Sequence, residues 1–250
     1  MAMSMLNGKE IFVTAGSTRA YIDAVRYLSN RSTGRLGSEI ACECLRRGAY
    51  VTYFHGIGAL TPFVLAHRGE VNLSDEALSR LDMIEIETIP QLVGSIEREL
   101  KEGYYDAAIH AMAVLDFVPD LASVLPGKKK SDLEEWNLKL VRTPKVIDMI
   151  KRVSPQTTLV GFKLEVEISR EQLIASATDL MKHSGAEIVV ANDLTDIQKK
   201  AYKAVLIERA AEGHEALKTT EAAGRQETAR VLCDRLEELL KAKHESTPED

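Results

Sequence analysis

Ile11-Phe12-Val13-Thr14-Ala15-Gly16-Ser17-Thr18-Arg19, followed further on by Ser29-Asn30-Arg31-Ser32-Thr33-Gly34-Arg35-Leu36-Gly37, is the stretch that decides how this chain is read. A short apolar run breaks at Gly16. A basic, hydroxyl-rich loop follows, and Gly34 and Gly37 lead into a helix-like segment at 36–47 that stops at Gly48. That is the order in which a first strand feeds a phosphate-binding helix start. Free backbone N–H groups and the positive end of the helix dipole attract an anion, and glycines let the backbone come close. Arg26, Arg31 and Arg35 add charge. The stretch predicts a site for a phosphorylated ligand.

Outward from it, strand-like runs alternate with helix-like ones. Strands are expected at 10–14, 50–54, 82–87, 106–113, 157–162, 186–191 and, as the last strand, 203–208. Helices are expected at 36–47, 90–101, 170–183 and 225–241. Such alternation predicts an α/β, Rossmann-like three-layer fold, a mostly parallel sheet covered by helices. Ligands in that architecture bind at the carboxyl ends of strands, where Gly16, Asp116, Phe162 and Asn192 all fall. The segment 117–142 carries Pro119, Pro126, Gly127 and three consecutive lysines, and reads as a flap loop at about 118–132 followed by an edge strand. The polar tail at about 242–250 is expected to fray.

The 250 residues, 45% hydrophobic and 28% charged, suit one sizeable domain spanning 1–250. A net charge of -6 argues against general nucleic-acid binding, so the basic clusters point to a small anion. Cys42, Cys44 and Cys233 are odd in number and lack zinc spacing, which suits a reduced, cytoplasmic protein. No signal-peptide shape and no membrane-length apolar run is seen, so no membrane partner is expected.

Several single residues carry chemistry, each beside a plainer reading. Asp116 ends an apolar strand and could accept hydrogen bonds from a ligand, or could serve only as a loop or N-cap residue. His110, inside that strand, reads as a hydrogen-bonded buried histidine rather than a base. Lys128, Lys129 and Lys130 beside Gly127 suit a polyphosphate; a solvated charge run is the commoner explanation of such a cluster. Asn30 could donate its amide to an oxyanion or a substrate carbonyl, or be a turn residue. Arg142-Thr143-Pro144-Lys145 reads as a strand-to-helix turn that could line the pocket. No cluster has metal-ligand spacing and there is no G-x-S-x-G elbow.

Together these segments resemble the phosphopantothenoylcysteine synthetase family from about Lys9 to Leu240. The resemblance rests on Val13–Arg19, Ile22–Arg26, Ser29–Gly34, Ala113–Phe117, Lys128–Lys130, Arg142–Lys145, Val160–Glu165 and Val190–Asp193. The resemblance includes no flavin-binding decarboxylase half, and the stand-alone form is expected. The resemblance implies a homodimer built partly through 133–142, and a reaction in which 4'-phosphopantothenate is activated by a nucleoside triphosphate, CTP or ATP, before joining L-cysteine. Magnesium (Mg2+) is implied on the phosphates, with no protein metal motif needed. Asn30 matches the asparagine that holds pantothenate and helps convert the acyl intermediate. Arg26 matches an arginine that reaches the substrate phosphate of the neighbouring subunit. Met112, Ala113 and Asp116 match the strand end at substrate and nucleotide, and Lys128, with Lys130 second, the loop lysine near the reacting phosphate. Gly16, Ser17, Thr18, Arg142, Thr143, Pro144, Lys145 and Phe162 match the nucleotide pocket, and Lys182 stands near the place of a further triphosphate lysine.

The chain departs from the family pattern at Ser17, usually Pro, at Leu115, usually small, and at Lys163-Leu164-Glu165 after the Gly-Phe pair, which leaves CTP and ATP both open. A Rossmann-type NAD(P) oxidoreductase would need a G-x-G-x-x-G turn, an acid after the second strand and a Tyr/Lys pair; His55-Gly56 ends that strand and neither Tyr104 nor Tyr105 has a lysine four residues on. A non-catalytic phospholigand-binding protein is the third reading, with Leu115 its support.

Overall fold

The computed structural model describes residues 4–124, 127–128, 134–199, 201–209 and 217–246. The chain begins with β1 (Glu10–Ala15), a small hairpin of β2 (Arg19–Tyr21) and β3 (Tyr27–Ser29), α1 (Arg35–Arg46) and β4 (Tyr50–Gly56). Two short helices, α2 (Pro62–His67) and α3 (Asp75–Leu78), precede β5 (Leu81–Ile86), α4 (Ile89–Glu102) and β6 (Ala107–His110). A second small hairpin pairs β7 (Phe117–Pro119) with β8 (Leu140–Arg142). Then come α5 (Val146–Val153), β9 (Thr158–Glu165), α6 (Arg170–Ser184), β10 (Ile188–Asp193), α7 (Leu194–Gln198), β11 (Lys203–Arg209), β12 (Leu217–Ala223) and α8 (Arg225–Ser246).

Eight strands form one sheet in the order β12-β11-β10-β9-β6-β1-β4-β5. From β5 to β10 all neighbours are parallel, and β11 and β12 close one edge antiparallel. The chain leaves β1 in one direction to β4 and β5, then returns to β6 on the other side. The crevice between β1 and β6 is therefore the topological switch point, where an open α/β sheet binds its ligand.

The strand period divides two cores. Ile11, Val13, Ala107 and Ile109 point to one face, where they pack with Ile40, Leu45, Leu232 and Leu236 of α1 and α8. Phe12, Ala108 and Val189 point to the other, against α4, α5 and α6 through Leu92, Ile96, Ile150 and Ala177. Helix starts are secured by side chains: Thr88 and Ser169 form capping boxes with Gln91 and Gln172. All three cysteines are buried thiols.

The structure revises several expectations. The fourth strand ends at His110 rather than 113; beyond it Ala113 keeps only an isolated parallel bridge to Ser17. The segment after the flap does not join the main sheet; β8 pairs only with β7. The last strand is β12, one beyond 203–208. The final helix continues to Ser246, so 242–246 is helical rather than frayed.

Candidate functional site

Three backbone turns meet at the carboxyl end of β1. Gly16 has φ 84° and Gly34 has φ 73°, the left-handed region that glycine occupies without strain. A Cβ on Gly16 would lie 2.6 Å from Ala59 Cβ, and one on Gly34 would lie 3.0 Å from Gly16 N. A Cβ on Gly37 would lie 2.6 Å from Ala15 Cβ, so α1 sits directly on β1. The glycines thus do packing work between turns as well as opening the backbone. Gly34 is the N-cap of α1 and supplies no side-chain cap, which leaves the helix start open to an anion.

Between Gly16 and Gly34 the chain extends as the β2–β3 hairpin, which the sequence reading did not contain. Its return strand delivers Asn30 to the switch point. Ser29 Oγ meets Ser17 Oγ at 2.9 Å and donates to Thr18 O at 2.9 Å. Asn30 Nδ2 lies 3.1 Å from both Ala113 O and Val114 O. Two carbonyls can only face the nitrogen, so the amide orientation is fixed and both its hydrogens are engaged. The expectation that this amide donates to an oxyanion is not met in this arrangement; the group Asn30 has left to offer is Oδ1, an acceptor.

The segment 111–116 is held from below as well. Thr14 Oγ1 accepts from Met112 N at 3.2 Å, and Thr18 Oγ1 from Leu115 N at 3.3 Å. Thr143 Oγ1 donates to Leu115 O at 2.6 Å, and Thr143 N to Asp116 O at 2.9 Å. Met112 and Leu115 are buried in the core, so the larger side chain at 115 forms floor rather than obstruction. Ser29, Asn30, Leu115, Asp116, Phe117 and Leu140 line a cleft of about 320 Å³.

At its mouth Lys145 Nζ pairs with Asp116 Oδ1 at 2.5 Å, both side chains about half exposed. Lys145 is also the N-cap of α5 and gives that helix no cap hydrogen bond. A capping residue would be worth about 0.5–2 kcal/mol there. The position forgoes that stability and presents a cation and an open helix start beside Asp116.

On the far side of β6, Phe162 is half-buried against the core shared with α1 and α8. Asn192 is buried, with Nδ2 donating to Tyr202 Oη at 2.7 Å. Asp193 accepts from Ile168 N at 3.0 Å and Thr195 N at 2.6 Å. These backbone hydrogen bonds, Ile168 first, hold its carboxyl down at about 2. Asp193 thereby ties the β9–α6 loop to the start of α7.

Other expected residues stand elsewhere or are engaged. Arg26, at the end of the β2–β3 hairpin, is held by Asp23 through Nε at 3.0 Å and Nη2 at 2.6 Å and lies over Trp136. Arg35 is shared by Glu39 at 2.7 Å and Glu70 at 2.5 Å, so its charge is already balanced. Lys182 lies in the last turn of α6, at the end of the sheet where the parallel strands begin, opposite the switch-point crevice. Arg142 is exposed in β8, opposite Phe117. Lys128 is exposed, and Lys129 and Lys130 lie outside the described residues, as does 133 of the expected dimerisation segment. Tyr105 is buried beneath the sheet, bonded to Thr52 and Glu99, and cannot act at the crevice. Of the hydroxyls that fix the site, Thr18 was matched to the nucleotide pocket, whereas Thr14 and Ser29 were not singled out by sequence; a hydroxyl alternating with apolar residues is an ordinary strand pattern.

Residues 6–240 match the model of the DNA/pantothenate metabolism flavoprotein C-terminal domain. The chain belongs to that family. It is 36% identical over 236 residues to the coenzyme A biosynthesis bifunctional protein CoaBC of Thermococcus kodakarensis, a match that covers 94% of this chain and 52% of that protein. The chain therefore spans about half the length of that curated relative. Among solved structures it is similar to the DNA/pantothenate metabolism flavoprotein of Streptococcus pneumoniae, at TM-score 0.76 and 28% identity, covering 93% of this chain and all of that one. The fold is shared with a Cab2 variant solved with phosphopantothenate-cysteine, at TM-score 0.71 and 19% identity, covering 95% and 89% of the two chains. No helix among the described residues is long and apolar enough to cross a membrane.

Proposed function

We propose that this protein is a phosphopantothenate–cysteine ligase of coenzyme A biosynthesis. The carboxylate of 4'-phosphopantothenate attacks the α-phosphorus of CTP or ATP, pyrophosphate leaves, and an acyl-nucleotide forms. The amine of L-cysteine then attacks the acyl carbon, and the nucleoside monophosphate leaves as the amide forms. A carboxylate is a poor acylating agent, so the nucleotide supplies the leaving group, and the protein's task is to align the two anions and balance charge.

The observation that carries this reading is the convergence of Asn30 and Asp116 on one cleft at the switch point of a chain in this family. Asn30 Oδ1 is suited to accept from a substrate N–H, and Asp116 from a nucleotide amino or hydroxyl group. Lys145 and the uncapped starts of α1 and α5 favour the phosphates. Gly16, Ser17 and Thr18 give the backbone wall, Phe162 a side wall, and Lys128 and Lys130 are assigned to the flap. Lys182, by its place in α6, has no part in this scheme. Among the described residues there is no cluster of three His, Cys, Asp or Glu side chains that could cage a metal; Mg2+ would be held chiefly by phosphate oxygens and water. Such an ion would spread charge on the transferring phosphate.

A homodimer belongs to the same reading. Val25 and Tyr27 on one hairpin and Phe117 and Leu140 on the other are exposed apolar side chains beside the cleft. That face, with Arg26 at its edge, is assigned to the second copy. Cytoplasmic location belongs to the same reading, and the three buried free thiols are in keeping with it. The test is mass-spectrometric detection of the phosphopantothenoylcysteine amide after incubation with 4'-phosphopantothenate, L-cysteine, Mg2+ and each nucleotide. Absence of the amide with both nucleotides would reject the proposal.

A further inference from the structure

His110 is the last residue of β6 and is more than nine-tenths buried, at the carboxyl end of a central strand beside the switch point. Its Nδ1 lies 2.9 Å from Thr14 Oγ1. Thr14 is fully buried, and its oxygen already accepts from Met112 N. If Nδ1 carried the proton, the Thr14 hydroxyl hydrogen would be left sealed with no acceptor. The hydroxyl must therefore donate to Nδ1, and the ring proton sits on Nε2. Burial also pushes the imidazole down to about 4, so the ring is neutral.

Nε2–H has no hydrogen-bond partner among the described residues, yet it is not sealed off from solvent. The residue keeps 8% of its surface exposed at the carboxyl end of β6, and Nε2–H shares in that access. A donor held in this way costs free energy unless something accepts from it. The neighbours along the strand end are the apolar Met112 and Leu115. A neutral donor in apolar surroundings suits an uncharged oxygen; a phosphate would call for a cation and would raise the imidazole pKa.

We infer that His110 is a substrate-binding residue whose Nε2–H donates to an uncharged amide or hydroxyl oxygen of the acyl substrate, with Thr14 fixing the tautomer. The inference rests on the ligase reading for the identity of that substrate. Met112, Ala113 and Asp116 follow on the same strand end, so one hydroxyl–imidazole pair both shapes the segment and reads the ligand lying over it.

The test uses full-length protein labelled with 15N-histidine. Ring spectra should show His110 as the Nε2–H tautomer, and saturating 4'-phosphopantothenate alone should shift its Nε2 signal while CTP or ATP alone leaves it in place. His110→Phe should raise KM for phosphopantothenate at least tenfold and change KM for the nucleotide less than twofold, with His110→Gln, which restores a donor, recovering part of the loss. A ring signal unmoved by phosphopantothenate, or moved only by nucleotide, overturns the assignment, and needs no variant to fold. An active wild type with an unmoved ring removes His110 alone; a wild type with no turnover removes the ligase reading.

Discussion

The side-chain amide of Asn30 donates to two consecutive carbonyls, Ala113 O and Val114 O, each at 3.1 Å. A residue from the loop before α1 thus clamps the segment after β6 across the switch point. Asn30→Asp would set a carboxylate against both carbonyls, whereas Asn30→Ala would only release them. We expect Asn30→Asp to lower kcat/KM at least ~100-fold, about 3 kcal/mol, and Asn30→Ala to lower it less. Steady-state kinetics beside a thermal melt would check this. Equal, small losses in both variants would show that the clamp has no role in turnover.

Lys145 gives up a helix cap in order to face Asp116. Lys145→Ser should recover the cap of α5 and stabilise the fold by ~1 kcal/mol. The exposed ion pair that it removes is worth only ~0–1 kcal/mol. KM for the nucleotide should rise several-fold while stability is kept or improved. Denaturant melts and nucleotide titrations on the same preparation separate the two effects, and a variant that is stabilised with an unchanged KM would assign Lys145 no ligand.

Asp193 sets part of the acid stability. Its folded pKa of about 2 lies below the ordinary 3.8. A depressed carboxyl contributes stability above about pH 4 that is lost as pH falls toward 2. Asp193→Asn should therefore be less stable than wild type at pH 7 and converge with it near pH 2. Parallel unfolding curves across that range would contradict the backbone bonds from Ile168 and Thr195.

Gly16→Ala combines a left-handed φ of 84° with a Cβ placed 2.6 Å from Ala59 Cβ. Strain and overpacking together should cost about 2–5 kcal/mol. A chemical-denaturation midpoint that does not move would mean that the turn can relax, and that close packing is not why glycine stands there.

Much of the fold was readable because long apolar runs such as Ile11–Ala15 and Ile188–Ala191 leave few alternatives, and Gly48, Gly103 and Gly185 mark helix ends. The hairpin β2–β3 was not, since three-residue strands leave no period to count. β12, Leu217–Ala223, is mostly exposed and lacks an apolar face, so only its pairing with β11 makes it a strand. At the site, Asn30 and Asp116 were legible as polar residues at strand and turn ends. The direction of the Asn30 amide was not, because it depends on two carbonyls more than 80 residues away. Lys182 was misleading for a related reason: its distance along the chain from Asn192 is short, but α6 ends at the opposite end of the sheet.

Pyrophosphate release is the most direct measurement of the central claim. Purified protein would be given 4'-phosphopantothenate, L-cysteine and Mg2+, with CTP and ATP compared. The account predicts release with at least one nucleotide, strictly dependent on phosphopantothenate. Folded protein that binds nucleotide yet releases no pyrophosphate with either would contradict it and leave a binding role in its place.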